Sequence, residues 1–141
     1  MKKILLLTLL LSGCDISQAK EPSYVEKAVR AVDGDTILIN PVWNPYPGLT
    51  WKIRILGIDT PEKGYLAKCE KEKILAKKAT TFSQTKIKES NFNIRLSSVN
   101  HDKYGGRLDA NVELENGMSL GDELIKHGFA KKYTGSGPKP N

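Results

Sequence analysis

Apolar and polar residues alternate most cleanly in two stretches of this chain. Phe92, Ile94 and Leu96 alternate with Asn93, Arg95 and Ser97, and Leu108, Ala110, Val112 and Leu114 alternate with Arg107, Asp109, Asn111 and Glu113. A period of two places each apolar set on one face, so both stretches read as half-buried strands. Upstream, residues 24–32 carry Val and Ala interrupted by Lys27 and Arg30, and residues 36–39 form the apolar run Thr-Ile-Leu-Ile. These read as the first two strands, joined by the turn residues of Asp33-Gly34-Asp35-Thr36. A third strand begins near Trp51 and runs through Ile53-Arg54-Ile55-Leu56-Gly57-Ile58, then changes abruptly to Asp59-Thr60-Pro61-Glu62. Pro61 has no N–H and biases Thr60 away from helix, so the strand must leave its sheet here.

The remaining segments fill in the order. Residues 40–50 are rich in Asn, Pro and Gly and read as a long hairpin loop, with Trp43 and Tyr46 packing back on the sheet. After Glu62 comes a charged region, residues 63–73, and then a helix with Leu75, Ala79 and Phe82 on its apolar face, fading by Ser90-Asn91. Residues 100–106 and Asn116-Gly117 are turns. Ser119 with Asp122 resembles a capping box for a short helix faced by Leu120, Leu124 and Ile125, and Gly128 stands where that helix would stop. Beyond Tyr133 the tail is Gly, Ser, Pro and Lys, a composition that frays. Three strands, a helix, two strands and a helix is the order of a five-stranded OB-fold. The predicted class is therefore mainly β with helices, in a single domain over residues 24–133 with a flexible tail over 134–141.

Composition changes this picture little except at the N-terminus. At 141 residues, with 39% hydrophobic and 27% charged residues, the chain has the make-up of one globular domain. Its formal charge of +6 suits a polyanionic partner such as nucleic acid, or an anionic membrane surface. Lys2 and Lys3 followed by the apolar run of residues 4–11 form a signal peptide too short to span a bilayer. It ends Leu11-Ser12-Gly13-Cys14, which resembles the lipobox of bacterial lipoproteins. That resemblance implies cleavage after residue 13, acylation of Cys14, a tether over residues 14–23 and an exported, membrane-anchored protein on the periplasmic or extracellular face. Ordinary secretion with cleavage near Ala19 is the other reading. Without Lys2 and Lys3 the basic count falls from 22 to 20, leaving +4 against 16 acids. With Cys14 lipidated, Cys69 has no internal disulfide partner.

Three polar clusters fall at strand ends: Asp33 with Asp35, Arg54 with Asp59 and Glu62, and Asp102-Lys103-Tyr104-Gly105-Gly106-Arg107. Hard cations such as Ca²⁺ take several oxygen ligands and commonly keep waters. Asp35 and Asp59 offer two carboxylates, and the Thr60 carbonyl a third ligand, provided the fold brings them together. Two arginines, Arg54 and Arg107, suit a phosphodiester, because each planar fork donates parallel bonds to phosphate oxygens and matches the charge of a pentacoordinate transition state. Glu62 beside them can orient or deprotonate a water. Tyr104 and Tyr133 are candidates to stack on bases.

Val32-Asp33-Gly34-Asp35-Thr36, the stretch from Ile53 to Glu62 and Asp102-Lys103-Tyr104-Gly105 together resemble the three signatures of the staphylococcal nuclease (thermonuclease) family, and Leu124-Ile125-Lys126-His127-Gly128-Phe129-Ala130 resembles its last shared segment. The resemblance implies an OB-fold with a Ca²⁺-dependent activity that cleaves DNA and RNA at the 5′ P–O bond and leaves 3′-phosphate ends. It implies Asp35, Asp59 and Thr60 as calcium ligands, Arg54 as the phosphate-binding arginine and Glu62 as the general base. The second arginine departs from the pattern: Gly106 holds its usual place, and Arg107 follows. A Gly-Gly bulge is expected to swing Arg107 back, since glycine adopts the dihedrals this requires. The expected protein is a monomeric nuclease of DNA and/or RNA with low sequence specificity. The competing expectations are a catalytically weak OB-fold that binds nucleic acid, and a basic lipoprotein that docks on anionic lipid.

Overall fold

A computed structural model describes residues 20–42 and 48–140. The signal peptide, Cys14 and most of its tether, and the loop aromatics Trp43 and Tyr46 lie outside the described residues. Strands β1 (Ser23–Ala31), β2 (Thr36–Asn40) and β3 (Trp51–Ile55) come first, followed by a two-residue β4 (Ile58–Asp59). Helix α1 (Glu70–Glu89), β5 (Asn93–His101), β6 (Leu108–Leu114), α2 (Leu120–Lys126) and a two-residue β7 (Lys131–Lys132) complete the chain. The five longer strands close into a barrel in the order β1-β2-β3-β6-β5, the expected OB-type architecture.

Closure requires one non-local step. Strand β3 pairs with β6 in parallel, Ile53 opposite Leu108 and Ile55 opposite Ala110, while every other barrel pairing is antiparallel. The alternation in β6 does its expected work: Ala110, Val112 and Leu114 are buried and Asn111 and Glu113 exposed. They join Ile37, Ile39, Ile53, Ile55, Ile94 and Leu96 in the barrel core, which Leu120 and Leu124 of α2 cap. Packing of this kind, with branched side chains in a closed interior, supplies most of the stability of a small barrel.

Two elements differ from expectation. Helix α1 starts at Glu70, inside the charged region; Ala79 is buried and Phe82 packs partly buried on the core as expected, but Leu75 is 37% exposed and Ala76, Ser83 and Ile87 are buried in addition. Small residues win because the helix must lie close to the β1–β2 turn: a Cβ built on Gly34 would stand 2.8 Å from both the Ala79 Cβ and the Thr60 Cγ2. Ser83 Oγ donates to the Gly34 carbonyl at 2.6 Å and locks that approach. The other difference is the short β4–β7 pair, which no periodicity announces. Gly57, at φ +77°, turns the chain from β3 into β4, and Ile58 and Asp59 pair with Lys132 and Lys131. Helix α2 begins as read, with Ser119 Oγ accepting from the Asp122 N–H at 3.2 Å, and Gly128 follows it at φ +75°. Among the described residues no helix is long and apolar enough to cross a membrane.

Candidate active site

Strand register brings the three polar clusters to one end of the barrel. Thr36 at the start of β2 lies opposite Arg54 at the end of β3, and Arg54 lies beside Asp109 at the start of β6. The turns 32–35 and 102–107 and the segment after β3 therefore surround one open cavity of about 360 Å³. Asp35, Arg54, Asp59, Thr60, Glu62, Tyr104, Arg107 and Tyr133 all line it. Every site residue expected from the sequence within the described residues reaches this cavity.

Arg54 is the hub of the acidic wall. Its Nη2 lies 3.3 Å from Asp59 Oδ1 and 3.6 Å from Asp35 Oδ2, and its Nη1 donates to the Ile58 carbonyl at 3.2 Å. Asp59 is 1% exposed, so its charge is tolerable only beside such donors. Asp35 Oδ2 accepts the Thr60 N–H at 3.0 Å, which fastens the β1–β2 turn to the Thr60-Pro61 bend. Asp33 lines the same wall, and its Oδ1 is buried without a hydrogen-bond partner among the described residues. Burial, with the Asp35 charge adding to it, pushes the Asp33 carboxyl up to about 6.

The opposite wall is built on the β5–β6 turn. Gly105 and Gly106 both adopt positive φ, at +75° and +72°, conformations that side chains other than glycine resist. The chain so bent returns Arg107 to the cavity, where its Nε donates to Asp102 Oδ2 at 2.7 Å. Asp102 also accepts the Tyr104 N–H at 2.7 Å. Burial opposes its charge, but these two donors outweigh burial and hold the carboxyl below its usual range. Lys103 stands over the Tyr104 ring, 5.0 Å from its centroid, and Tyr104 is 77% exposed at the rim. Asp109 behind the turn is raised by burial and by the Asp102 charge, and its Oδ1 has no hydrogen-bond partner among the described residues.

Glu62 lies between the walls with its side chain 30% exposed. Its carboxylate pairs with the Lys139 ammonium, which also stands 3.7 Å from Asp59 Oδ1. Burial lowers Lys139, yet the Glu62 hydrogen bond and the Asp59 and Glu62 charges more than offset this and hold it above its ordinary value. The segment after β7, expected to fray, runs along the cavity: Lys103 Nζ donates to the Gly135 carbonyl at 2.7 Å and Tyr133 Oη to the Gly137 carbonyl at 3.1 Å. Sequence reasoning did not find Lys139, because only this return of the chain connects it to the site. It also passed over Glu72, whose carboxylate accepts the Glu62 N–H at 3.1 Å. The sequence places it in the charged region ahead of the helix, where nothing marks it.

The donor set fits a hard divalent cation. Carboxylates predominate among the possible ligands, and the buried Asp33 oxygen next to the Asp35 charge marks an excess of negative charge that a cation would relieve. Among the described residues no three His, Cys, Asp or Glu side chains converge as a ready-made metal cluster. The protein's share would be the Asp35 and Asp59 carboxylates and a backbone carbonyl, with water completing the shell.

Residues 52–141 match the family model described as "Staphylococcal nuclease homologue". That stretch carries Arg54, Asp59, Thr60, Glu62 and Arg107, while Asp33 and Asp35 precede it. Endonuclease YhcR of Bacillus subtilis (strain 168) is 34% identical over 108 residues, covering 74% of this chain and 8% of its own length. The uncharacterized protein MJ1439 of Methanocaldococcus jannaschii is 33% identical over 129 residues, covering 78% of this chain and 59% of its own length. The chain thus spans less than two thirds of either relative. A match over well over half of its residues, on a closed five-stranded barrel, means that the chain belongs to the staphylococcal nuclease family.

Proposed function

We propose that this protein is a calcium-dependent nuclease that hydrolyses the phosphodiester bonds of DNA and/or RNA with low sequence specificity and leaves 3′-phosphate ends. The observation that carries the reading is the meeting of Arg54, Arg107 and Glu62 with Asp35 and Asp59 around one cavity. Arginine forks and carboxylates address the phosphodiester, which is common to every nucleotide, and this supports low sequence preference. The YhcR relative, an endonuclease by name, supports the same reaction class.

In this mechanism Arg54 and Arg107 bind the non-bridging oxygens of the scissile phosphate from opposite walls. Glu62 holds a water in line and takes its proton as the water oxygen bonds to phosphorus. The P–O5′ bond breaks, the 5′ oxygen takes a proton from solvent, and the phosphate stays on the 3′ side. The arginine donors match the charge that grows on the equatorial oxygens, an effect that belongs to the transition state more than to the ground state. Asp35, Asp59 and the Thr60 carbonyl would hold the divalent cation, which would supply positive charge to offset that of the phosphate. Lys139 is the resting counter-ion of Glu62, so its ion pair opens when Glu62 takes up water. Tyr104 and Tyr133 stack on the flanking nucleotides. Acylated Cys14 anchors the monomeric enzyme on the exported face of the membrane.

The test is incubation of the purified protein with plasmid DNA and with RNA, in Ca²⁺ and then in excess chelator. Cleavage is expected only with the cation, and the product ends should be 3′-phosphorylated. Glu62→Gln should lower turnover by about three orders of magnitude, the scale of removing a general base and its ordered water, while leaving the melting temperature near wild type. Retarded migration of nucleic acid without cleavage in either condition would instead identify a binding module.

A further inference from the structure

The Glu72 carboxylate does more than cap a helix. Cys69, at the N-cap of α1, makes no side-chain cap bond, and Glu72 three residues on reaches back to the Lys68 N–H at 2.6 Å through Oε2. This return bond ties the residue before the N-cap to the first turn of the helix and needs one oxygen. The other oxygen, Oε1, accepts the Glu62 N–H at 3.1 Å, ten residues away. These two backbone donors, with the nearby Lys68 charge, hold the Glu72 carboxyl below its usual range. The segment between them, with its single 3₁₀ turn at Gly64–Leu66, buries no side chain in that turn, and Tyr65 is 95% exposed. Beside Glu62 the Lys63 ammonium donates to the Val32 carbonyl, a further tie from a flexible, exposed side chain. One carboxylate thus clasps both ends of an otherwise loosely packed loop, and one of those ends is the backbone of Glu62.

We propose that Glu72 is a positioning residue for Glu62: it fixes the Glu62 backbone to helix α1 and so aims the Glu62 carboxylate into the cavity. The inference rests on the reading of Glu62 as the general base. Helix α1 is in turn held to the β1–β2 turn by Ser83 and the Gly34 contact. Glu62 therefore takes its orientation from the same rigid element that holds Asp35. A displacement of about 1 Å at a reacting group is enough to cost large factors in rate, and this is the scale a freed backbone allows. Both bonds need acceptor oxygens. A glutamine at this position keeps one acceptor and turns the other into a donor facing an N–H, so it can serve the Lys68 bond or the Glu62 bond but not both.

The experiment compares wild type, Glu72→Ala, Glu72→Gln, Glu62→Gln and the double variant Glu62→Gln/Glu72→Ala on linear DNA in Ca²⁺. Glu72→Ala is expected to lower kcat about tenfold or more with KM within about twofold, and Glu72→Gln to fall between it and wild type. In the Glu62→Gln background Glu72→Ala should bring no further loss, because the two residues act as one unit. Amide hydrogen exchange supplies a readout independent of activity: the Glu62 and Lys68 amides should lose protection in Glu72→Ala, while barrel amides keep theirs. Two results would overturn the inference: losses that multiply in the double variant, or a Glu62 amide as protected as in wild type. Unchanged cleavage in Glu62→Gln alone is a separate failure. It removes Glu62 as base, and with it the ground for assigning Glu72 this task.

Discussion

The two glycine-bearing turns that face each other across the cavity are built on opposite principles. In the turn 32–35, Gly34 is required for space: Ala79 and Thr60 crowd the place where a Cβ would sit, and its backbone shows no positive φ. In the turn 102–107, Gly105 and Gly106 are required for dihedral freedom: both have positive φ, and nothing lies within 4 Å of an added Cβ. The first turn is locked under α1 and carries an acid pushed up by burial; the second stands open and carries an acid held down by an arginine and a backbone donor. The contrast teaches that one end of a small barrel can hold a rigid anionic wall and an adjustable cationic one. The proposed cation-and-phosphate site would need both.

The most forceful way to break this contrast is Gly34→Ala. A methyl group 2.8 Å from two carbon neighbours cannot be accommodated unless α1 or the Thr60 bend shifts. Overpacking of this kind costs about 1–3 kcal/mol, and with two rigid neighbours we expect the upper end, about 3 kcal/mol. Urea denaturation should show it as a lower midpoint at unchanged slope. Cleavage should fall as well, since Asp35 and Thr60 move with the turn. A stability within about 0.5 kcal/mol of wild type would mean that the wall is not rigid.

A milder break separates the acids by pH. The Asp33 carboxyl is raised from 3.8 to about 6, so between those values the folded protein keeps a proton that the unfolded chain has lost. Its contribution to stability is therefore greatest at acid pH and falls as pH rises from about 4 to about 6, then levels. The full shift corresponds to about 3 kcal/mol. Partial exposure of the carboxyl reduces the expected effect to about 1–2 kcal/mol. Asp33→Asn, measured by denaturation in chelator, should flatten the wild-type decline between pH 4 and 6 and be more stable than wild type at pH 7. Asp102 runs the other way. Its carboxyl is held below 3.8, so its contribution is present at neutral pH and is lost as pH falls through its lowered folded value. Asp102→Asn should thus be less stable than wild type at pH 7. Equal pH profiles for the two variants would erase the distinction between the walls.

How much of this was legible in the sequence depends on how local the cause is. The alternation of β5 and β6 and the Asp33-Gly34-Asp35-Thr36 turn are set by neighbouring residues, and each appears where the pattern puts it, whereas the third strand leaves the barrel at Gly57 rather than at Pro61. The choice of helix face was not local. Of the expected face Ala79 is buried and Phe82 packs partly buried on the core, but Leu75 turns out toward solvent, and the close contact at Gly34 favours the small Ala76 and Ser83 beside Ala79. Asp35 and Asp59 lie at no recognisable spacing; the register of β2 on β3 unites them, and the parallel β3–β6 pairing adds the third cluster. The β4–β7 pair, the Lys139 contacts and the second Glu72 bond join residues far apart in the chain through two-residue strands or single hydrogen bonds. Interactions so short leave no periodicity to read.

The finest test addresses the open wall alone, through Gly106→Ala. No neighbour lies within 4 Å of the new methyl group, so the whole penalty comes from holding an alanine at φ +72°. That is about 1 kcal/mol, a third of the Gly34 effect, and too little to unfold the domain. The turn can escape even this by relaxing toward negative φ, which its exposure permits. Relaxation would swing Arg107 away from Asp102, breaking the 2.7 Å bond between them and withdrawing one of the two proposed phosphate forks. Stability and cleavage should then separate: a melting temperature within a few degrees of wild type, with kcat/KM for DNA down by about tenfold to a hundredfold. Arg107→Ala sets the floor, and Gly106→Ala combined with it should fall no lower, because both remove the same donor. If Gly106→Ala loses stability but cleaves normally, Arg107 reaches phosphate without the double-glycine turn, and the open wall is a matter of folding rather than of aim.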